Sequence, residues 1–249
     1  MSVVDPAPIW HEVECGSYEA DLALWEELVA EGAEVVDLGC GTGRVSMRLA
    51  RRGRKVTAVD QDPRVLEVLE ERAAARGLAV ECVCADVREL SIDHQFEAVL
   101  APMQLVQLMR GETEREAMLT RALRHLRPGG VFAATLMDLE GEPLGEEYGP
   151  PPPDMREVDG WVYSSQSVGV YPIDRGRAIA IDRIRTAVAP DGRQRKSMYR
   201  IRLELLAPDQ FEREMQAAGL VVQGRQAIAP TEEHVGSIVV IATAPEAPA

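Results

Sequence analysis

The run Val35-Val36-Asp37-Leu38-Gly39-Cys40-Gly41-Thr42-Gly43 carries the most chemical information in the chain. A β-branched segment leads into three glycines at alternate positions, and Arg44–Arg52 after them has a helical pattern. Glycine tolerates positive φ and lets a ligand approach the backbone closely. The helix that follows offers free amides at its N-terminus. The spacing G-x-G-x-G departs from the dinucleotide fingerprint G-x-G-x-x-G, in which pyrophosphate sits on that helix end. Asp37, two residues before the first glycine, fits a cationic ligand better than a pyrophosphate. Asp60 closes a second strand-like run 17 residues after Gly43, where a carboxylate can accept from two ribose hydroxyls. Asp86 follows a third run, Val83-Cys84-Ala85-Asp86-Val87, and Leu126-Arg127-Pro128-Gly129-Gly130 precedes a fifth. Taken singly, Asp60 and Asp86 read as strand-end turn or helix-cap carboxylates. In register with the glycine turn, both read as ligand-binding groups.

Such residues need a scaffold that brings several strand ends to one edge. Apolar spacing predicts a helix over Tyr18–Ala30, a strand over Glu34–Leu38, the helix Arg44–Arg52 and a strand over Lys55–Asp60. A helix over Pro63–Arg76 follows, with proline in its first turn and Gly77 as its stop. Strands over Ala79–Ala85 and Phe96–Ala101, a helix over Glu112–Leu126 and a strand over Val131–Met137 complete the alternation. This order predicts a parallel sheet covered on both faces. The proline- and glycine-rich segment 138–160 reads as a loop or lid. Trp161–Tyr171, Arg177–Val188 and Arg195–Leu206 read as an antiparallel meander appended to the main sheet, with turns at 174–176 and 190–192. A helix over Pro208–Ala218 and strands over Leu220–Gln223 and Ile238–Ala242 close the chain. The expected fold is α/β: a doubly wound Rossmann-like sheet with a C-terminal antiparallel hairpin and an antiparallel β insertion. It divides into an N-terminal lid and helix (1–32), a ligand-binding core (33–137), the lid and insertion (138–206) and a C-terminal helix and strands (207–244), all within one domain of 249 residues.

The glycine turn, Asp60, Asp86 and the Arg-Pro-Gly-Gly loop together resemble the class I S-adenosylmethionine-dependent methyltransferases, over about residues 33–137. The resemblance implies that Gly39, Cys40, Gly41 and Gly43 wrap the methionine and ribose of S-adenosyl-L-methionine, with Asp37 behind the ammonium. It implies Asp60 on the ribose hydroxyls, Gln61 beside the adenine, Asp86 accepting from the adenine amine, Val87 on the ring and Ala101 at the strand end. In this family the end of the fourth strand faces the transferred methyl. Here it reads Ala101-Pro102-Met103-Gln104. This lacks both the Asn/Asp-Pro-Pro-Tyr/Phe motif of adenine and glutamine-amide methylating members and the Pro-Cys of cytosine C5 enzymes. Met103 and Gln104 therefore point to a small-molecule acceptor. The N-terminal segment of such enzymes closes over the cofactor, which makes His11 a candidate general base and Tyr18 a candidate catalytic or acceptor-lining group. Trp10 either closes the pocket or packs as a staple, and Tyr199 on the third meander strand is a further acceptor candidate. His94, His125 and His234 read as solvated or loop-surface histidines.

Composition supports this reading by exclusion. The chain has 27 Lys+Arg against 41 Asp+Glu, net charge −14, which disfavours nucleic acid and anionic membranes as partners. Segment 138–160 carries eight acids against Arg156, and segment 175–202 carries nine bases against Asp182 and Asp191. The two are expected either to be solvated faces or to dock on each other, in cis or across a homodimer. The four cysteines, Cys15, Cys40, Cys82 and Cys84, lack zinc-site spacing and read as reduced core thiols, with no metal expected. No signal peptide or membrane span is legible, so a cytoplasmic protein is expected. The expected activity is methyl transfer from S-adenosyl-L-methionine to a nitrogen or oxygen of a small metabolite. Its rivals are a nicotinamide oxidoreductase, a non-catalytic cofactor binder, and a protein or peptide methyltransferase.

Overall fold

The computed structural model describes residues 7–138, 151–231 and 234–247. The chain opens with helices α1 (Ala7–Cys15) and α2 (Leu22–Leu28). It then alternates β1 (Glu34–Leu38), α3 (Arg44–Arg51), β2 (Lys55–Asp60), α4 (Pro63–Ala74), β3 (Val80–Cys84), β4 (Phe96–Ala101), α5 (Leu105–Leu108), α6 (Glu112–Arg124) and β5 (Leu126–Met137). The strands β6 (Asp154–Val158), β7 (Trp161–Ile173), β8 (Ala178–Val188) and β9 (Gln194–Glu204) follow, then α7 (Pro208–Ala217), β10 (Val221–Ile228) and β11 (Ser237–Thr243).

Seven strands form one sheet in the order β10-β11-β5-β4-β1-β2-β3. β3, β2, β1, β4 and β5 run parallel, and β11 enters antiparallel between β5 and β10. Period-two alternation sorts each strand onto two faces. On β4, Ala98 and Leu100 pack with Trp25 of α2 and Val45 and Leu49 of α3. Val99 and Ala101 pack on the other face with Met118 and Leu119 of α6 and Phe211 and Met215 of α7. Burying a side chain of this kind is worth roughly 1.5–3 kcal/mol. Helix ends follow local chemistry: the Asp62 side chain accepts from the Arg64 amide at 3.0 Å and Pro63 occupies the first turn of α4.

Several expectations are corrected. The helix expected over Tyr18–Ala30 begins only at Leu22, and the one expected to reach Leu126 ends at Arg124, because Leu126 already pairs with Phe96 in the sheet. Segment 138–160 is not a loop throughout. Asp154–Val158 is a strand, with Arg156 opposite Tyr163. The rest of the acidic segment, 139–150, lies outside the described residues. The meander is not appended to the main sheet: it forms a separate four-stranded sheet, β6-β7-β8-β9. It reaches the main body through α1, which packs on β6 and β7 and also on α4, and through α5, which packs on β9. Trp10 and Val13 of α1 bury against Ala187, Trp161 and Tyr163 of this second sheet. Where the two bodies meet, Arg115 of α6 is buried and pairs with Glu214 of α7 at 2.6 and 2.7 Å, with Glu204 of β9 at 3.8 Å. All four cysteines are free, but Cys84 is exposed, not a core thiol, because β3 is the edge strand of the sheet.

Candidate functional site

The ends of β1, β2, β3 and β4 meet at the carboxyl edge of the parallel sheet, where ligands of open α/β sheets bind. β1 delivers Asp37 into the interior. Its Oδ2 accepts from Ser46 Oγ of α3 at 2.6 Å, while its Oδ1 is buried without a partner. Among the described residues this is the only carboxylate oxygen so placed. Burial pushes the carboxyl up to about 6, opposed by the Ser46 hydrogen bond and the nearby Arg44 guanidinium. The glycine turn follows at once. Gly41 and Gly43 have φ of 54° and 88°. A Cβ on Gly41 would collide with the His11 ring, and one on Gly43 with Leu69. On the other flank Leu105 of α5 comes within 2.9 Å of where a Cβ on Gly39 would be. Cys40 is buried, its amide donating to the Val59 carbonyl at 3.0 Å.

Asp60 is tied to the turn. Its Oδ2 accepts from the Gly41 amide and its Oδ1 from the Asp62 amide, each at 2.9 Å. Gln61 is exposed beside it. Asp86 bends back on its own turn: it accepts from the Arg88 amide at 2.9 Å and pairs with that guanidinium, which holds the carboxyl below its ordinary range. Val87 is half-buried next to it and Ala101 is fully buried. Beyond Ala101, Met103 takes φ 56°, a conformation that is uncommon for a non-glycine residue. Gln104 follows at the N-terminus of α5.

The N-terminal candidates divide. His11 hydrogen-bonds Thr42 Oγ1 at 3.1 Å and so joins the glycine turn. Tyr18 is buried, bonds Ser237 at the start of β11 and lies under the Arg44 guanidinium, and burial raises its phenol above the ordinary value. Trp10 faces the second sheet, edge-on to Tyr163 at 5.5 Å. Tyr199 lies on the outermost strand, 43% exposed, with the Arg185 guanidinium 3.5 Å above its ring. The structure therefore groups Asp37, the glycines, Asp60 and His11, and sets Trp10 and Tyr199 on the four-stranded sheet.

One reading of a histidine is corrected. His125 is not solvated but 1% exposed: Nδ1 bonds the Arg121 carbonyl at 2.7 Å and Nε2 accepts from the Ile92 amide at 2.9 Å. His234 keeps its loop position, partly exposed, with its ring tilted at 44° to that of Tyr18 and the centroids 4.8 Å apart. The sequence reading also missed Gln107, buried in α5, which accepts from the Met137 amide at 2.7 Å and donates to the Glu204 carbonyl at 3.1 Å. It thereby ties the end of β5 to β9. Its only sequence signal was a polar residue inside an apolar helix turn. Glu12 and Glu14 were missed as well. Glu12 binds Thr42, Arg72 and Arg156, and Glu14 binds Ser165, Arg183 and Arg185.

Residues 35–130 match the family described as "Methyltransferase domain". Over these residues, well under half of its length, the chain is similar to methyltransferase domains. Over 151 residues it is 33% identical to a Streptomyces cypemycin N-terminal methyltransferase, covering 61% of this chain and 54% of that protein. Over 108 residues it is 35% identical to a Methylocella silvestris ubiquinone biosynthesis O-methyltransferase, covering 43% of this chain and 41% of that one. The chain thus spans about half the length, or less, of these curated relatives. Among solved structures, Streptomyces venezuelae DesVI superposes with a TM-score of 0.74 at 19% identity, over 98% of this chain and 100% of that one. CalS10 from Micromonospora echinaspora, described as an amino pentose methyltransferase with S-adenosylmethionine bound, superposes at 0.72 with 19% identity, over 98% of both chains. At 19% identity, these two likenesses show the overall fold. Among the described residues no helix is long and apolar enough to cross a membrane.

Proposed function

We propose that this chain transfers a methyl group from S-adenosyl-L-methionine to a nitrogen or oxygen of a small-molecule acceptor. The observation that carries the reading is the buried Asp37 Oδ1, left without a partner at the foot of a glycine turn that Asp60 braces. A buried carboxylate in that state is costly unless a cation or donor completes it, and the ammonium of a methionine moiety is such a group. When bound, the cofactor supplies a methyl group on a sulfonium, open to in-line displacement. Asp37, Gly39, Cys40, Gly41 and Gly43 would hold its methionine end, and Asp60 its ribose. Gln61, Asp86 and Val87 would flank the base. Ala101, Met103 and Gln104 would face the acceptor, whose alignment is the protein's main contribution. Tyr18, with its phenol kept protonated by burial, would act as a hydrogen-bond donor lining the site. Trp10 and Tyr199 would bound the acceptor space from the second sheet.

The segments 1–32, 33–137, 138–206 and 207–244 then work as one domain, cytoplasmic, with a homodimer as its assembly and no nucleic-acid partner. The net charge of −14 supports the last of these. The likeness to a peptide N-terminal methyltransferase favours one second reading, in which the acceptor is a peptide α-amine.

Calorimetry with S-adenosylhomocysteine tests the cofactor assignment. Wild type should bind, and Asp60→Ala should bind at least about tenfold more weakly, since hydrogen bonds to a charged group contribute roughly 1.5–3 kcal/mol each. A wild-type protein that gives no heat at millimolar ligand would defeat the proposal. Release of S-adenosylhomocysteine across a panel of amines, phenols and short peptides separates the two acceptor classes.

A further inference from the structure

His11 is the one site histidine to which the roles above give no task. Its ring rests on Gly41, and its Nδ1 bonds Thr42 Oγ1 at 3.1 Å. The same Thr42 hydroxyl makes a close hydrogen bond to Glu12 Oε1. Burial opposes ionisation of Glu12, but hydrogen bonds from Arg72 and Thr42 and the charges of Arg72 and Arg156 hold its carboxyl below the ordinary range. An ionised carboxylate can only accept, so the Thr42 proton goes to Glu12. Thr42 then has only lone pairs to offer His11, and Nδ1 must carry the ring proton. Nε2 is left unprotonated, an acceptor turned toward the glycine turn.

The placement of that nitrogen decides its use. Around His11 lie Gly41 and Thr42 of the turn, Glu12 and Glu14 of α1, Asp60 of β2 and Arg44 of α3. Met103 and Gln104 follow β4, and β1 lies between β4 and β2 in the sheet. His11 is therefore on the Asp60 side of the edge, not the acceptor side. Each Asp60 oxygen already takes one backbone amide, which leaves room for a second hydroxyl acceptor beside it.

We propose that His11 is a cofactor-binding residue whose Nε2 accepts the proton of one ribose hydroxyl while Asp60 accepts that of the other, with Thr42 and Glu12 as positioning residues that set its tautomer. His11 is then not the base for the methyl acceptor. The inference rests on the cofactor reading above.

The test is calorimetric titration of wild type, His11→Ala and His11→Phe with S-adenosylhomocysteine and with its 2′-deoxy and 3′-deoxy analogues. The phenylalanine variant keeps the ring's bulk, so lost packing is separated from the lost acceptor. Both variants should bind the parent ligand about five- to tenfold more weakly, the value of one hydrogen bond. One deoxy analogue should lose about the same factor against wild type and almost nothing against either variant, the signature of a direct pair. Equal binding of the parent ligand by wild type and variants would overturn the proposal. So would identical deoxy penalties in all three proteins, or a fall in kcat at saturating cofactor with ligand affinity unchanged. Failure of wild type to bind S-adenosylhomocysteine would instead remove the cofactor reading itself.

Discussion

At the carboxyl edge of the seven-stranded sheet Asp37 keeps a buried oxygen without a partner, whereas on the inward face of the four-stranded sheet the charges satisfy one another. There Glu14 takes both oxygens to Arg185 at 2.7 Å and accepts from Ser165 at 2.6 Å, and Arg183 bridges Asp154 and Ser165. The first arrangement is poor for stability and is completed by a ligand. The second is closed and holds α1 in place. Ionic content alone therefore does not mark a functional site. Arg115 Nη1, Thr135 Oγ1 and Arg202 Nη1 are also buried without a hydrogen-bond partner, so what marks the site is a buried, unmet carboxylate oxygen beside a glycine turn at the strand ends.

Four substitutions probe this contrast. The largest effect is expected at the junction of the two bodies. Glu214→Gln leaves Arg115, which is 1% exposed, as a buried cation with its main partner gone. The loss should be about 3–5 kcal/mol in urea unfolding, and a loss near zero would mean that Glu204 takes over the pair.

Asp37→Asn should have the opposite sign in the ligand-free protein. The native carboxyl titrates at about 6 against an ordinary 3.8, so the protonated form is favoured in the folded state. The stability this gives is fully present below about pH 4 and is lost as pH rises through about 6. The asparagine variant should therefore be more stable than wild type at pH 8, by roughly 2–3 kcal/mol, and show little difference at pH 4. Its affinity for S-adenosylhomocysteine should fall. Melting curves at the two pH values check the sign.

Glu14→Gln should cost about 1–3 kcal/mol, because it takes the charge from two largely buried arginines. A cost below that range would show the α1 contact to be dispensable. The smallest effect belongs to Arg193→Ala. This side chain is 81% exposed and pairs with Asp191 two residues away, so its removal should shift stability by less than about 0.5 kcal/mol.

The parallel core was legible because each of its strands carries its own signal. Val-Val-Asp-Leu before three glycines, and Phe-Ala-Ala-Thr-Leu within β5, are apolar runs bounded by turn residues. The Asp37, glycine and Asp60 cluster was legible for the same reason: each lies at the end of such a run. β6 was not, since Asp-Met-Arg-Glu-Val has no apolar alternation and follows four prolines. It is a strand because β7 offers it a ladder. The burial of His125 was equally hidden, because it depends on the Ile92 amide 33 residues away.

The succession of strands and helices along the parallel core, the place of the glycine turn and the carboxylates beside it follow from local patterning, because periodicity and glycine backbone freedom act within a few residues. The separation of the second sheet, the capture of α1 by Glu12 and Glu14 and the seating of His11 on Gly41 were decided only in three dimensions. They join residues from 30 to 171 positions apart, through hydrogen bonds and ion pairs that no spacing along the chain encodes.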